Sequence, residues 1–427
     1  MPDLPDPGDR AAIVAWVANH LGDLCRDEVA ASDAFRGGQQ AADAALAAFD
    51  VAGYAARRNE VWPAQRRGAS RLSPYIRHGL LTLPEVWRYV GGGPARDVAK
   101  FRDELLWQEY ARHLYARLGA ATRQPLRFHP SAAASGPSAT GPDTVGDGGI
   151  ADPGAGGARD ATAAPDAMAC LVLVRSELTT DGWLVNQTRM WFASHWTVRR
   201  GWDWRAGEDY FFAHLLDGSR AANRLGWQWT VGAGTGKPYG FSRWQVNKRA
   251  PGLCDTCALA QRCPIEDWPD TDPLSAVDSP DPLLRHDPDP GATAGPNQPE
   301  VTGEPDVVWL TAESLGGSDP ALAAHPEVPV VFVFDQPLLA RLRLSAKRLV
   351  FLAECLADLA TERDVEVHRG RPLDVLAGRR LAATFTPVPG FRRHLADLEL
   401  VAVHPWPWLS RPDAGSLASF SAWRRRR

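Results

Sequence analysis

The stretch "DGSRAANRLGWQW", residues 217–229, decides how this chain is read. It places Asp217, Ser219 and Asn223 just ahead of two indoles, Trp227 and Trp229. The chain has 17 tryptophans, and they crowd between Trp183 and Trp268. Large, oxidisable side chains gathered beside polar ones ask for a chemical reason beyond packing.

Working outward, 427 residues suffice for two or three domains. A hydrophobic fraction of 44% and a charged fraction of 23% are ordinary for a globular protein. No apolar run approaches the roughly 20 residues that cross a bilayer. The N-terminal "MPDLPDPGDR" is acidic and proline-rich, unlike a secretory signal, so a cytoplasmic protein is expected. The net charge of −4 hides a division. Residues 51–128 hold 14 Lys/Arg against 6 Asp/Glu, whereas residues 264–306 hold 11 Asp/Glu against Arg285 alone. A basic folded part could bind a polyanion, or could simply be a solvated basic face.

Two stretches look unfolded. Residues 129–166 are Gly, Ala, Ser, Pro and Asp with little apolar bulk, and predict a disordered insert. Residues 269–304, rich in Pro and Asp, read as an acidic linker. Before the linker the pattern is helical, most clearly in "FRDELLWQEYARHLYARLG" (101–119), with Gly119 as its stop. After it come short apolar runs, "VVWLT" (307–311) and "VPVVFVFD" (328–335), then a helical pattern, then "VEVHRG" (365–370), "LAATFTPVP" and "LELVAVHPW". Strand, helix, strand order predicts a parallel sheet. The expected fold class is α + α/β: an all-helical domain over 1–268, the linker 269–304, and a Rossmann-like parallel α/β domain over 305–427, without a GxGxxG fingerprint.

Five motifs in order, "ASRLSPYIRHG" (69–79), "DELLWQEYARHL" (103–114), "GWLVNQTRM" (182–190), "DWRAGEDYF" (203–211) and the opening stretch, resemble the flavin-binding helical domain of DNA photolyases and cryptochromes. "VVWLTAESLGGSDPALAAHPEVPVVFVFD" and "SFSAWRRR" (419–426) resemble the same family's α/β antenna-type domain. In the family that domain comes first; here it follows, so the two must dock through surfaces.

The resemblance implies FAD. It places Ser70, Arg71, Leu72 and Ser73 in the loop that holds the flavin phosphates. Read alone, that loop is also a plausible helix cap at Ser73-Pro74. Phe101, Glu104 and Gln108 match flavin-side positions, and Trp183, Asn186 and Arg189 a second wall. Asp217 and Ser219 match positions beside the ribose and ring, and Asn223 the residue facing flavin N5. Trp227 and Trp204 match the first two members of an electron-transfer chain whose third is open, with Trp191, Trp196 and Trp202 as candidates. Trp107 and Trp229, with Asn186 and Met190, match the contacts of a flipped pyrimidine pair, for which Glu104 would be a hydrogen-bond donor. The bland alternative is ordinary core aromatics.

The chain also departs from the family. Ser219 stands where a second Asp is usual, and Gln108 and Gln187 where cyclobutane-dimer enzymes have Arg. Val185 occupies the position of the (6-4) class's catalytic His. Cys254, Cys257 and Cys263, in "CDTCALAQRCP", with Cys170, resemble the four ligands of the iron–sulfur bacterial branch. Four thiolates suit a [4Fe–4S] cluster or zinc, and unligated thiols stay open. Cys25 and Cys355 are expected to be buried hydrophobes.

Three readings follow. One is a light-driven lyase that splits cyclobutane pyrimidine dimers in damaged DNA, using photoexcited reduced FAD. Another is a cryptochrome-like photoreceptor without repair activity. The last is a DNA-binding protein without flavin. The antenna chromophore and the oligomeric state are not named by the sequence.

Overall fold

The structure, a computed structural model, describes residues 1–131 and 168–427. Most of the insert expected over 129–166 lies outside the described residues.

Helices fill the chain up to residue 268 among the described residues. The longest, Ala95–Leu118, follows Pro94, carries Asp97 in its first turn and Arg117 in its last, and so suits its own dipole. It ends where expected: Gly119 adopts φ +53°, a conformation that costs other residues about 1 kcal/mol or more. The helix Leu83–Tyr89 starts on a reciprocal capping box between Thr82 and Glu85. Short helices Ala169–Thr180, Asn186–Ser194, Trp204–His214 and Ala222–Thr230 follow, the second running into one wide π turn at His195–Arg199.

The apolar runs form the expected sheet. Its strands are β1 (Glu300–Val301), β2 (Val307–Leu310), β3 (Val330–Asp335), β4 (Val365–Gly370), β5 (Leu381–Thr384) and β6 (Leu400–His404). Their order is β1-β6-β5-β2-β3-β4. All neighbours are parallel except β1 and β6, and Val308 pairs with Val330 and Val330 with Val365. β2 and β5 are buried at every residue, which explains their unbroken apolar sequence.

The helix Ala346–Leu359 lies between the sheet and the helical lobe and is buried almost throughout. On it packs the N-terminal helix Arg10–Leu21, through Ile13, Trp16, Val17 and Leu21. Arg10 also pairs with Glu354 at 2.7 Å. One hydrophobic core therefore runs from Leu72 and Phe101 in the helical lobe to Val308 and Phe332 in the sheet. Backbones touch where the lobes meet. A side chain at Gly316 would fall on the Gly79 carbonyl, and one at Gly79 on the Glu313 carbonyl. The His78 ring bridges the same seam, 2.6 Å from the Ala312 carbonyl and 3.1 Å from that of Leu216.

The stretch read as a linker is seated rather than loose. Leu284, Asp287, Thr293 and Ala294 are buried, and Asp287 pairs with Arg117 at 3.0 Å. Ser275 and Val277 bond to the main chain at His129 and Arg127. A few anchors spaced far apart hold it, so no local pattern announced them.

Candidate functional site

One hollow of about 1220 Å³ runs from the helical lobe to the carboxyl ends of β2 and β3. It exceeds the roughly 300–1,000 Å³ of a drug-sized pocket, so it has room for a dinucleotide. Arg71, Arg189, Asp217 and Asn223, which come from three separate stretches of the chain, all line it.

The Arg71 side comes from the loop before Ser73–Arg77. Arg71 itself has φ +59°. Its guanidinium lies over Phe35 at 4.7 Å and Trp183 at 5.5 Å, and bonds the Ala34 carbonyl at 3.0 Å. Trp183 Nε1 donates to Ser73 Oγ at 3.0 Å, leaving the hydroxyl proton of Ser73 to offer elsewhere. Ser70 and Ser73 line the hollow. Leu72 does not: it is fully buried, its side chain turned into the core. Phe101 is a second departure, packed against Phe49 and Tyr54 with both ring centroids at 4.9 Å.

Opposite stands the turn 215–219. Asp217 receives Arg189 through both oxygens, at 3.1 and 2.7 Å. Ser219 Oγ accepts the Ala222 amide at 3.1 Å, opening the Ala222–Thr230 helix. The Gly218 carbonyl accepts from Arg77 at 3.0 Å and from Arg348 at 3.1 Å. Arg348 comes from the α/β lobe, so that lobe helps to hold the turn; no sequence motif pointed to it. Asn223 donates its amide to the Glu208 carbonyl and carboxylate. Beneath lie Glu208, Asp209, Arg220 and Arg224, all buried and joined at 2.5 to 3.5 Å. Burial pushes the Glu208 carboxyl up, while Arg220 and Arg224 draw it back down.

Glu104, Trp107 and Gln108 line the mouth, as do Asn186, Met190 and Trp229. Glu104 pairs with Lys100 at 2.8 Å and Arg58 at 3.3 Å. Arg58, which no sequence motif singled out, also lines the hollow. Gln187 is buried but also lines the hollow, its amide donated to the Tyr239 hydroxyl at 3.0 Å.

The indoles divide. Trp227 lines the hollow, and its Nε1 finds no acceptor among the described residues. Trp196 meets it at 6.4 Å, and Trp202 meets Trp196 at 4.9 Å, both edge to face. Trp202 is partly exposed, and the wide turn at His195–Arg199 carries Trp196. Trp204 is fully buried in the same cluster and does not line the hollow.

The cysteines lie elsewhere, around a core with Trp191 and Phe241. Cys257 Sγ accepts the Ala169 amide at 3.4 Å. Burial pushes the Cys170 thiol up to about 12, with Cys254, Cys263 and Cys257 adding to the rise. Among the described residues no group of three or more His, Cys, Asp or Glu could hold a metal ion. The four thiols are neighbours all the same.

Residues 174–248 match the family described as the FAD binding domain of DNA photolyase. A deoxyribodipyrimidine photo-lyase of Synechococcus sp. is 29% identical over 211 residues, 46% of this chain and 39% of that protein. One from Vibrio cholerae is 47% identical over 64 residues, 15% of this chain and 14% of its own. One from Halobacterium salinarum is 28% identical over 257 residues, 55% and 48% of the two chains. The chain thus spans less than half the length of each of these photolyases. Within the matched photolyase segment fall Trp183, Arg189, Trp204, Asp217, Asn223 and Trp227. No helix among the described residues is long and apolar enough to cross a membrane.

Proposed function

We propose that this protein is a light-driven DNA repair flavoprotein that splits cyclobutane pyrimidine dimers. The observation that carries the reading is the convergence of Arg71, Arg189, Asp217 and Asn223 on one hollow. The donor set suits FAD: a cation and hydroxyls for a pyrophosphate, a carboxylate for a ribose, an amide for a flavin ring. Reduced FAD would supply the electron that light releases. Around it, Asn223 keeps its carbonyl oxygen for the ring, because its nitrogen is committed to Glu208. Arg58 would donate to the substrate as negative charge develops on it. Trp107 and Trp229 offer flat apolar walls to a base pair drawn out of the stack. Trp227, Trp196 and Trp202 give an outward route for refilling the flavin from a thiol reductant; Trp204 is the alternative second step. A second, unidentified chromophore would sit at the strand ends near Trp309 and His394.

A [4Fe–4S] cluster on Cys170, Cys254, Cys257 and Cys263 belongs to the same proposal. Its support is the spacing of the cysteines and their gathering around one core. A brown shoulder in anaerobically purified protein, lost with C254S, tests it.

The experiment for the main reading is illumination of photoreduced protein with a thymine-dimer oligonucleotide. Restored thymines are expected; a flavin-loaded sample without light-dependent repair overturns the reading. One observation favours a photoreceptor instead. Gln187, which stands where repair enzymes have an Arg, lines the hollow with its amide held by Tyr239 and offers no cation to a phosphate. Equal affinity for damaged and undamaged strands would select that second reading.

A further inference from the structure

We propose that Phe420 is a positioning residue for the substrate platform: its ring backs one face of Trp107 and fixes the indole plane, leaving the other face for a flat ligand. This rests on the reading that a base enters the hollow.

The two rings stack at 3.8 Å with 15° between their planes. Phe420 is 8% exposed, whereas Trp107 is only partly buried, so Phe420 is the inner member of the pair. Tyr110 closes the arrangement edge-on, at 5.9 Å from Trp107 and 5.7 Å from Phe420.

The segment that delivers Phe420 is clamped to the helix that carries Trp107. Tyr110 donates to the Leu417 carbonyl at 2.6 Å, and Arg117 to that of Gly415 at 2.8 Å. Trp423 is fully buried and donates to His113 at 3.2 Å. Arg424 pairs with Asp103 at 2.9 Å. Each of these partners lies on Ala95–Leu118, within a few turns of Trp107. The C-terminal segment is thereby fixed against the site and is part of it.

A lone indole at a mouth has several rotamers, and ordering it on ligand binding costs affinity. A ring parallel to it at contact distance admits motion in the plane and blocks tilting. The platform is therefore set before the ligand arrives, and its affinity for a flat ligand rises. Contact with bulk DNA outside the hollow does not use Trp107, so Phe420 should affect discrimination rather than general binding.

The test uses the full-length, FAD-loaded protein in the dark. The affinities for a thymine-dimer oligonucleotide and for its undamaged counterpart are measured in wild type, F420L, F420M and F420Y. In parallel, 5-fluorotryptophan labelling gives a fluorine resonance for Trp107, assigned with W107F. In F420L, or in F420M should F420L fail to fold, the damaged-to-undamaged ratio should fall about tenfold, with undamaged binding unchanged. The Trp107 line should broaden or split. F420Y should restore both. An unaltered ratio or an unaltered line in a folded, flavin-loaded variant overturns the proposal. Should wild type itself show no preference for the dimer, the repair reading falls, and the fluorine line alone decides whether Phe420 sets Trp107.

Discussion

Asn223 donates to Glu208 twice, to its main-chain oxygen at 2.9 Å and to its carboxylate at 3.0 Å. The amide nitrogen is thus committed, and its carbonyl oxygen is left to the hollow. Asn223→Asp would set a second carboxylate against that of Glu208. One of the pair must then keep a proton, and a rise of two pH units in its titration costs about 3 kcal/mol at neutral pH. Asn223→Ala, which only removes hydrogen bonds, should cost about 1–2 kcal/mol. Thermal unfolding at pH 5 and pH 8 separates the two, because the Asp variant should regain more stability in acid than either wild type or the Ala variant.

Glu208 also neutralises Arg220 and Arg224, with its carboxylate fully buried. Removing it as Glu208→Ala leaves Arg220 to share Asp209 with Arg123 and takes from Arg224 its carboxylate partner. A loss of about 3–5 kcal/mol is expected, read as a lower midpoint in denaturant. A loss below about 1 kcal/mol, the scale of an exposed pair, would mean that water reaches the cluster.

Glu109 sits fully buried on the long helix, one oxygen accepting the Ser410 amide at 2.9 Å. Burial raises its carboxyl from 4.5 to about 7, against the pull of Arg112. Between those values the unfolded chain has released the proton and the folded chain still holds it. Stability therefore falls as pH rises through that window, by about 3 kcal/mol, and levels off above it. Glu109→Gln should remove this slope, as measured by denaturant midpoints from pH 4 to pH 8.

The edge-to-face contacts of Trp196 with Trp227 and Trp202 assign the outward path. Light-driven reduction of bound flavin, with a thiol as reductant, should all but stop in W227F and slow by an order of magnitude in W196F. A wild-type rate in W196F together with a slow W204F would move the path to Trp204.

The sheet was legible because parallel strands buried on both faces leave unbroken apolar runs, as β2 and β3 do. The hollow was legible because its residues lie in short contiguous motifs, with Asp217 and Asn223 six positions apart. The side chains of Leu72 and Phe101 do not line the hollow, because a motif fixes position along the chain and not which side chain meets the core. Arg58, Arg348 and Phe420 were invisible for another reason. Each reaches the site through tertiary docking, and Phe420 meets Trp107 from the far end of the chain. The seat of residues 269–304 stayed hidden because its anchors, such as Leu284 and Asp287, are isolated in a polar stretch.

The central claim is that the hollow holds FAD between Arg71 and Asn223. The most direct measurement is the flavin released on denaturing protein purified from cells supplied with riboflavin, identified by mass and quantified against the chain. The account predicts equimolar FAD in wild type and little in a variant with both Arg71 and Asp217 replaced by Ala. A folded wild-type protein that is colourless and takes up no FAD on titration would contradict it.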